Sequence, residues 1–511
     1  MSICYDAAAM STPATPSAQI EHGDGRIELA EGTRFDDARL YNADLGPTRL
    51  SQRTWTTYAF AALWISMAHC IPTYILASGL IKQGMSWSQA IVTILVGNTI
   101  VLAPILLNSH PGTKYGVPFP VFARAAYGVF GANVPAVMRA IVACGWFGIQ
   151  CWIGGHALQR FVESLWAGWP TALGDGKLGG YLPTEWLCYA AFWSLNILIV
   201  YRGMELLRRI ENWAAPYVLL MTTLLLVWIL RRASALSGEA GLGSIVSSPG
   251  RFPTLGTFLP VFLPSVTAMV GFWATLSLNM PDFTRFGRSQ REQMVGQVVA
   301  LPTTMTLFAA MGVFITSASA IVFGETIWDP IDLGAKLESR GLVALAEMTA
   351  VIATLAMNIA ANVVSPANDF SNLAPSRISF RTGGLVTGVL ATLMMPWKLL
   401  ENADRYIDGW LLGYSGGLGS IAGVLICDYW VIRRRRLVLA DLYRRGGVYG
   451  YGSPLGVNWA AIVATAAGCF VAWIGIFVQP LHWLYDAAWF SGTLTSGAVY
   501  GVWMWKAREP A

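Results

Sequence analysis

The sequence predicts an all-α polytopic membrane protein with about twelve transmembrane helices, and three observations lead there. Hydrophobic residues fill 55% of the 511 positions and charged residues only 12%, with a mean hydropathy of +0.50. A soluble domain carries about 25% charged residues. Apolar runs of about 20 residues recur from near Thr56 to near Trp505, each long enough to cross a hydrocarbon core of roughly 30 Å. The runs lack the period-2 alternation of barrel strands, so helices are the structures that satisfy their backbone groups in lipid.

The net charge of +5 requires no nucleic-acid partner, because the arginines sit at the ends of apolar runs, where membrane anchoring accounts for them. The seven cysteines, Cys4, Cys70, Cys144, Cys151, Cys188, Cys427 and Cys469, form no CxxC pair and mostly lie in apolar runs. Neither a disulfide framework nor a zinc site is expected. The five histidines are scattered, and no cofactor is expected. Residues 1–52 are polar and lack the apolar core of a signal peptide, which reads as a mobile cytoplasmic tail.

In chain order the expected spans are roughly 57–82, 86–107, 133–166, 184–201, 207–230, 257–281, 294–323, 341–366, 382–400, 406–432, 456–477 and 482–504. Arg49 and Arg53, Lys114 and Arg124, Arg202, Arg208 and Arg209 would share one side of the membrane. Arg285, Arg288, Arg291, Arg377, Arg381, Arg433 to Arg436, Lys506 and Arg508 join them when both termini are cytoplasmic. Arg231, Arg232 and Arg251 oppose the rule, since they fall in the expected outer loop after the fifth span.

Two spans are interrupted. Met67-Ala68-His69-Cys70-Ile71-Pro72 puts a proline near the middle of the first, removing a backbone hydrogen bond. In the sixth, Pro260 and Pro264 precede Gly271-Phe272-Trp273, and Asn279-Met280-Pro281-Asp282 ends it. Breaks in the first and sixth spans point to two inverted five-helix repeats around a central site. The chain then divides into the tail at 1–52, a first repeat at 53–230, a second at 231–432 and a final helix pair at 433–511. The competing reading is that these prolines merely kink their helices.

Trp146 and Gln150 in the third span are i and i+4, one face of a helix, and pair a flat π surface with a bidentate carboxamide. Such a face suits a planar polar heterocycle, and a mid-membrane Gln costs several kcal/mol unless satisfied. Trp273 on the broken sixth span would close the other face, a stacked pair adding roughly 0.5–1.5 kcal/mol. Asn358, Asn362 and Ser365 follow i, i+4, i+7 in the eighth span, with Thr354 extending the stripe, and Asn362 is the preferred edge-reader. His69, His156, Glu211, Asp282, Glu347, Asp369 and Asp428 are candidates for proton relay or for interface pairing. Glu347 stands out among them as held within the eighth span, a snorkelling carboxylate being the alternative.

These stretches resemble the nucleobase:cation symporter-1 family, which includes the bacterial hydantoin transporter and uracil, allantoin, purine and thiamine permeases. The resemblance runs from Tyr41-Asn42-Ala43-Asp44-Leu45 and Gln52-Arg53-Thr54-Trp55 through Pro111-Gly112-Thr113-Lys114-Tyr115-Gly116-Val117-Pro118-Phe119-Pro120. It continues in Gly145-Trp146-Phe147-Gly148-Ile149-Gln150, Asn279-Met280-Pro281-Asp282-Phe283-Thr284-Arg285 and Asn358-Ile359-Ala360-Ala361-Asn362. It implies a five-plus-five inverted repeat with two extra helices, alternating access, and residence in the cell (inner) membrane. It also implies substrate between Trp146 and Trp273, with Gln150 and Asn362 on its polar edge. The family position on the broken first helix is often Gln or Asn and is Cys70 here; Phe272 is a second variable place.

In the sodium-coupled hydantoin transporter two hydroxyl residues of the eighth helix help ligate the ion; the matching positions here are Ala356 and Met357. A hard cation needs oxygen ligands, so proton coupling is expected, with His69 and Glu347 as candidate carriers. The leading expectation is thus a secondary transporter importing a small nucleobase or hydantoin-like heterocycle. An amino-acid permease of the same architecture would want a Gly-rich unwound first helix offering free N–H groups, which Cys70-Ile71-Pro72 does not supply. A membrane enzyme would need a His or carboxylate constellation, which is missing from the sequence.

Overall fold

The computed structural model describes residues 19–33, 35, 37–247, 250–399 and 409–507. Cys4, the first residues of the expected tail, the head of the expected tenth span and Arg508 lie outside them. A small antiparallel hairpin, β1 (Gln19–Glu21) and β2 (Ile27–Leu29), precedes a helical body. Its first half comprises α1 (Thr57–Ala68), α2 (Ile71–Lys82), α3 (Trp87–Tyr115), α4 (Phe119–Tyr127), α5 (Asn133–Leu165), α6 (Pro183–Arg202) and α7 (Met204–Ser247). Then come α8 (Leu255–Phe272), α9 (Leu276–Asn279), α10 (Pro281–Thr284), α11 (Gln290–Phe323), α12 (Pro330–Gly334), α13 (Arg340–Asn362) and α14 (Val364–Leu373). The chain closes with α15 (Phe380–Leu393), α16 (Pro396–Leu399), α17 (Leu412–Ile426), α18 (Trp459–Phe477), α19 (His482–Asp486) and α20 (Ala488–Lys506).

Among the described residues, eight helices are long and apolar enough to cross a membrane, nine when α1 and α2 count as one span bent by 58°. The remaining expected spans coincide with α6, α15 and α20, each too short or too polar to qualify alone. Local chemistry sets the ends. Ser86 caps α3, its hydroxyl accepting from Gln89 N (3.2 Å) while Gln89 Oε1 accepts from Ser86 N (3.0 Å), and Gly116 at φ 70° closes that helix.

The breaks differ from the proline rule. Pro72 sits in the first turn of α2, where a missing N–H costs nothing, and the interruption itself falls on His69 and Cys70. α8 runs unbroken through Pro260 and Pro264 and ends only at Trp273, whose backbone (φ −100°, ψ 8°) leaves the helix. α13 also ends early, at Asn362, so Ser365 belongs to α14 and the expected continuous stripe turns there.

Two further expectations are corrected. The described part of the tail packs onto the helical body rather than standing free: Leu40 and Leu45 are buried, Asn42 Nδ2 donates to Ser371 Oγ (2.8 Å), and Arg124 Nη1 donates to Leu40 O (2.8 Å). Its polar residues find partners on the helix ends rather than in water. The supposed outer loop begins later than expected, because α7 continues past Arg231 and Arg232; Arg232 pairs with Glu338 (2.9 Å), and Arg251 N donates to Gly84 O (2.7 Å).

α5 is the central post. One side of it is lined by glycines that let neighbours approach to backbone contact: a Cβ on Gly148 would stand 2.8 Å from Ala391 O, and one on Gly155 2.8 Å from Tyr189 Cα. Small residues at helix crossings allow this packing where no hydrophobic drive exists between lipid and helix.

Candidate substrate site between the broken helices

Four elements converge here. α5 supplies Trp146 and Gln150, the end of α8 supplies Phe272 and Trp273, the α1–α2 break supplies Cys70, and α13 supplies Asn358 and Asn362. All seven side chains are buried.

The aromatic members form a row. Phe272 stands edge-on to both indoles, 5.4 Å from Trp146 and 4.8 Å from Trp273 between ring centroids, and Trp64 continues the row edge-on to Trp273 at 5.2 Å. Trp146 Nε1 donates to the Tyr414 hydroxyl (3.2 Å), which donates to Gly271 O (3.0 Å). Tyr414 thereby fastens the α5 indole to a carbonyl at the end of α8, one that also accepts from Ala274 N (3.0 Å).

Gln150 is fully buried, and neither Oε1 nor Nε2 has a hydrogen-bond partner. The Cys70 thiol lies beside it, without completing a bond to it, and contacts Thr73 Oγ1 at 3.3 Å. Each unmade bond in such a place costs about 1–3 kcal/mol, so this carboxamide is incomplete without a polar guest.

The asparagines form a ladder. Asn362 Nδ2 donates to Asn358 Oδ1 (3.0 Å), Asn358 Nδ2 to Asn196 Oδ1 (3.2 Å), and Asn196 Nδ2 to Phe192 O (2.8 Å). Asn358 also points at Phe147 O and Cys151 Sγ, the residues bracketing Gln150 on α5 (3.4 Å each). Asn358 is therefore occupied in packing α13 against α5 and α6. Asn358→Ala, which breaks contacts to α5, α6 and Asn362, is expected to lower thermal stability by about 1–3 kcal/mol and more than Asn362→Ala, which loses the one bond to Asn358, whereas ligand binding should weaken more in Asn362→Ala. A thermal-shift series on both variants, with and without heterocycle, separates the two roles.

His69 and Glu347 do not join this group. His69 Nε2 meets the hydroxyls of Thr222 (2.6 Å) and Tyr74 (3.2 Å), at the edge of an apolar cavity of about 250 Å³ that includes Trp228 and Trp328. Glu347 is fully buried rather than snorkelling, both oxygens lack partners, and a Cβ on Gly334 would lie 2.8 Å from its Oε1.

The site residues are buried, and a cavity lies on either side of them. On the side of the N-terminal segment, a cavity of about 520 Å³ is lined by Asp44, Thr48, Asp282, Arg285 and Asn368. Toward the other face, Ile71, Trp152, His156, Tyr181 and Trp328 line a cavity of about 260 Å³ whose lining begins at Ile71, next to Cys70, and at Trp152, two residues past Gln150. Sequence reasoning missed Tyr414, Trp64 and Arg139. For the last there was a signal, a full charge inside an apolar span, which in lipid marks function or pairing. For the two aromatic residues there was none, since nothing in spacing separates them from ordinary core.

Residues 47–499 match the family model for permeases of cytosine/purines, uracil, thiamine and allantoin. The chain is 42% identical to the allantoin permease of Bacillus subtilis, over 93% of this chain and 94% of that one. It is 39% identical to the purine-uracil permease of Arabidopsis thaliana, over 92% and 78%. Among solved structures it is similar to a nucleobase-cation-symport-1 family transporter in a closed conformation with bromovinylhydantoin bound, with a TM-score of 0.75, 25% identity, and 92% and 96% of the two chains covered. The inward-facing conformation of a transporter with the same identity gives a TM-score of 0.70. With a Na+-coupled sialic acid symporter it shares the fold alone, at 10% identity and a TM-score of 0.58. The chain is a multi-pass membrane transporter, not an enzyme, and it belongs to the nucleobase-cation-symport-1 family of permeases.

Proposed function

We propose that this protein imports a small planar cyclic amide, of the kind represented by allantoin, uracil and hydantoin, by proton-coupled alternating access. The observation that carries the reading is Gln150: a fully buried carboxamide without partners, beside a row of aromatic rings. A flat heterocycle with adjacent C=O and N–H groups satisfies both of its ends and lies against Trp146, Phe272 or Trp273. Asn362 reads a second edge, Asn358 positions Asn362, and Cys70 sets what fits beside Gln150. A buried site between two cavities suits a rocking mechanism that opens to each side in turn. Both termini lie in the cytoplasm in this reading, on the arginine-rich face.

Proton coupling is supported by the donor set at the break. Ala356 and Met357 bring no oxygen, and Ala68 O, freed where α1 ends, already accepts from Thr73 Oγ1 (2.9 Å) and Cys70 N (3.1 Å). A sodium ion needs about six oxygens, and this shell does not fit it. The amino-acid permease reading fares worse: Pro72 has no N–H, while those of Cys70 and Thr73 are bonded to Ala68 O and Cys70 O. A substrate carboxylate finds no nest there.

Reconstituted protein supplied with labelled allantoin, uracil or hydantoin tests both parts. Accumulation driven by an inward proton gradient in sodium-free medium is expected. Uptake that rises steeply with sodium at fixed pH overturns the coupling, and failure to bind any of these heterocycles overturns the substrate class.

A further inference from the structure

About two turns from Trp146, nearer the N-terminal face and on the same stripe of α5, Arg139 is completely buried. Its Nη2 donates to Ala361 O (3.1 Å), the residue before Asn362. Its Nη1 stands 3.9 Å from Asp369 Oδ2 on α14, and neither Nη1 nor Nε makes a hydrogen bond. A well-made guanidinium–carboxylate pair closes to roughly 2.7–2.9 Å with two parallel bonds. This one is open, in a place where a loose charge pair is costly.

The carboxylates around it are not equivalent. Asp282 on α10 accepts from Phe119 N and Asn368 Nδ2 (3.0 Å each) through Oδ1. Arg285 lies beyond it, with its guanidinium on Thr48 Oγ1 (2.8 Å) and Asp44 O (2.9 Å). Asp369 accepts no hydrogen bond at either oxygen, and the ionisable groups facing it are Arg139, Asp282 and the Cys144 thiol. Arg139 alone thus stands between two carboxylates, of which Asp282 has other support and Asp369 has none.

From this juxtaposition we infer that Asp369 is the proton-carrying site of the transport cycle, with Arg139 as its switch and Asp282 as its outlet. The inference deepens the proton-coupled reading above and rests on it. In the proton-bound state Asp369 is a neutral acid and Arg139 swings its charge toward Asp282. On release, the O–H bond at Asp369 breaks, its proton leaves by the cavity that Asp282 and Asn368 line, and Arg139 returns to the restored carboxylate. Because Arg139 also holds Ala361 O, each swing pulls on the end of α13 that carries Asn362. Proton and heterocycle are coupled through that one backbone carbonyl.

The test is Asp369→Asn in proteoliposomes, read by substrate counterflow, by gradient-driven accumulation and by an internal pH dye. Counterflow should persist, since exchange needs no net proton movement. Accumulation should fall to the external concentration and substrate-induced acidification should vanish. Wild-type protein that shows no acidification with substrate removes the coupling reading itself. Wild-type acidification that survives in Asp369→Asn removes only this site assignment. Should the single variant fail to reach the membrane, Arg139→Gln with Asp369→Asn removes the charge imbalance and carries the same test: proton-driven accumulation by that pair overturns the proposal.

Discussion

Replacing Gln150 with Leu is expected to do two opposite things. Heterocycle affinity should fall by about one to two orders of magnitude, the equivalent of about 1–3 kcal/mol for a buried hydrogen bond lost. The unliganded protein should become more stable, because the wild-type carboxamide is fully buried with both ends unpaired, and an apolar side chain of similar size carries no such desolvation penalty. A residue kept against stability is characteristic of a binding site, where local rules yield to the ligand. Thermal shifts measured with and without ligand read both effects on one sample. Unchanged affinity, or a lowered melting point without ligand, would remove Gln150 from the site.

Gly155→Val is expected to damage the fold itself. The added side chain would begin 2.8 Å from Tyr189 Cα and 3.0 Å from its N, which are backbone atoms with no rotamer to escape into. α5 and α6 must part, and overpacking of this kind costs about 1–3 kcal/mol. Since α5 carries Trp146 and Gln150, transport should be lost along with stability. Gly256→Ala on α8, where an added Cβ meets nothing within 4 Å, is the matching control. Equal melting temperatures for the two variants would show that the α5–α6 contact is not what holds the post in place.

How much of the fold and the site was legible beforehand depended on whether the signal was local. The apolar runs, the interrupted first and sixth spans and the Trp146–Gln150 face are periodic features, and each maps onto an element of the structure. Proline placed the breaks only approximately, because Pro72 is comfortable in a first turn and Pro260 and Pro264 each forfeit a single hydrogen bond, which α8 absorbs. The exit at Trp273 comes instead where Gly271 O is taken up by Tyr414, a partner more than a hundred residues away. Long-range pairings were invisible for the same reason. Nothing near Asn42 announces Ser371, and nothing near Asn358 announces Asn196. The tail was misread because its polar composition serves as glue for helix ends as readily as it dissolves in water.

The asparagine ladder has a direction, and that direction is forced from its far end. Phe192 O is a backbone carbonyl and can only accept, so Asn196 must turn its NH₂ toward it and offer oxygen to Asn358. Asn358 repeats the choice, and Asn362 inherits it, leaving its own Oδ1 as the open terminus. The Asn362 amide is thus turned as an acceptor toward the proposed guest by a carbonyl on the neighbouring helix α6. A ring nitrogen bearing hydrogen fits that terminus, whereas its N-methylated or deprotonated counterpart meets lone pair with bulk or with charge. Discrimination between lactam and lactim forms of a base would then be written into α6, a helix that never touches the cargo.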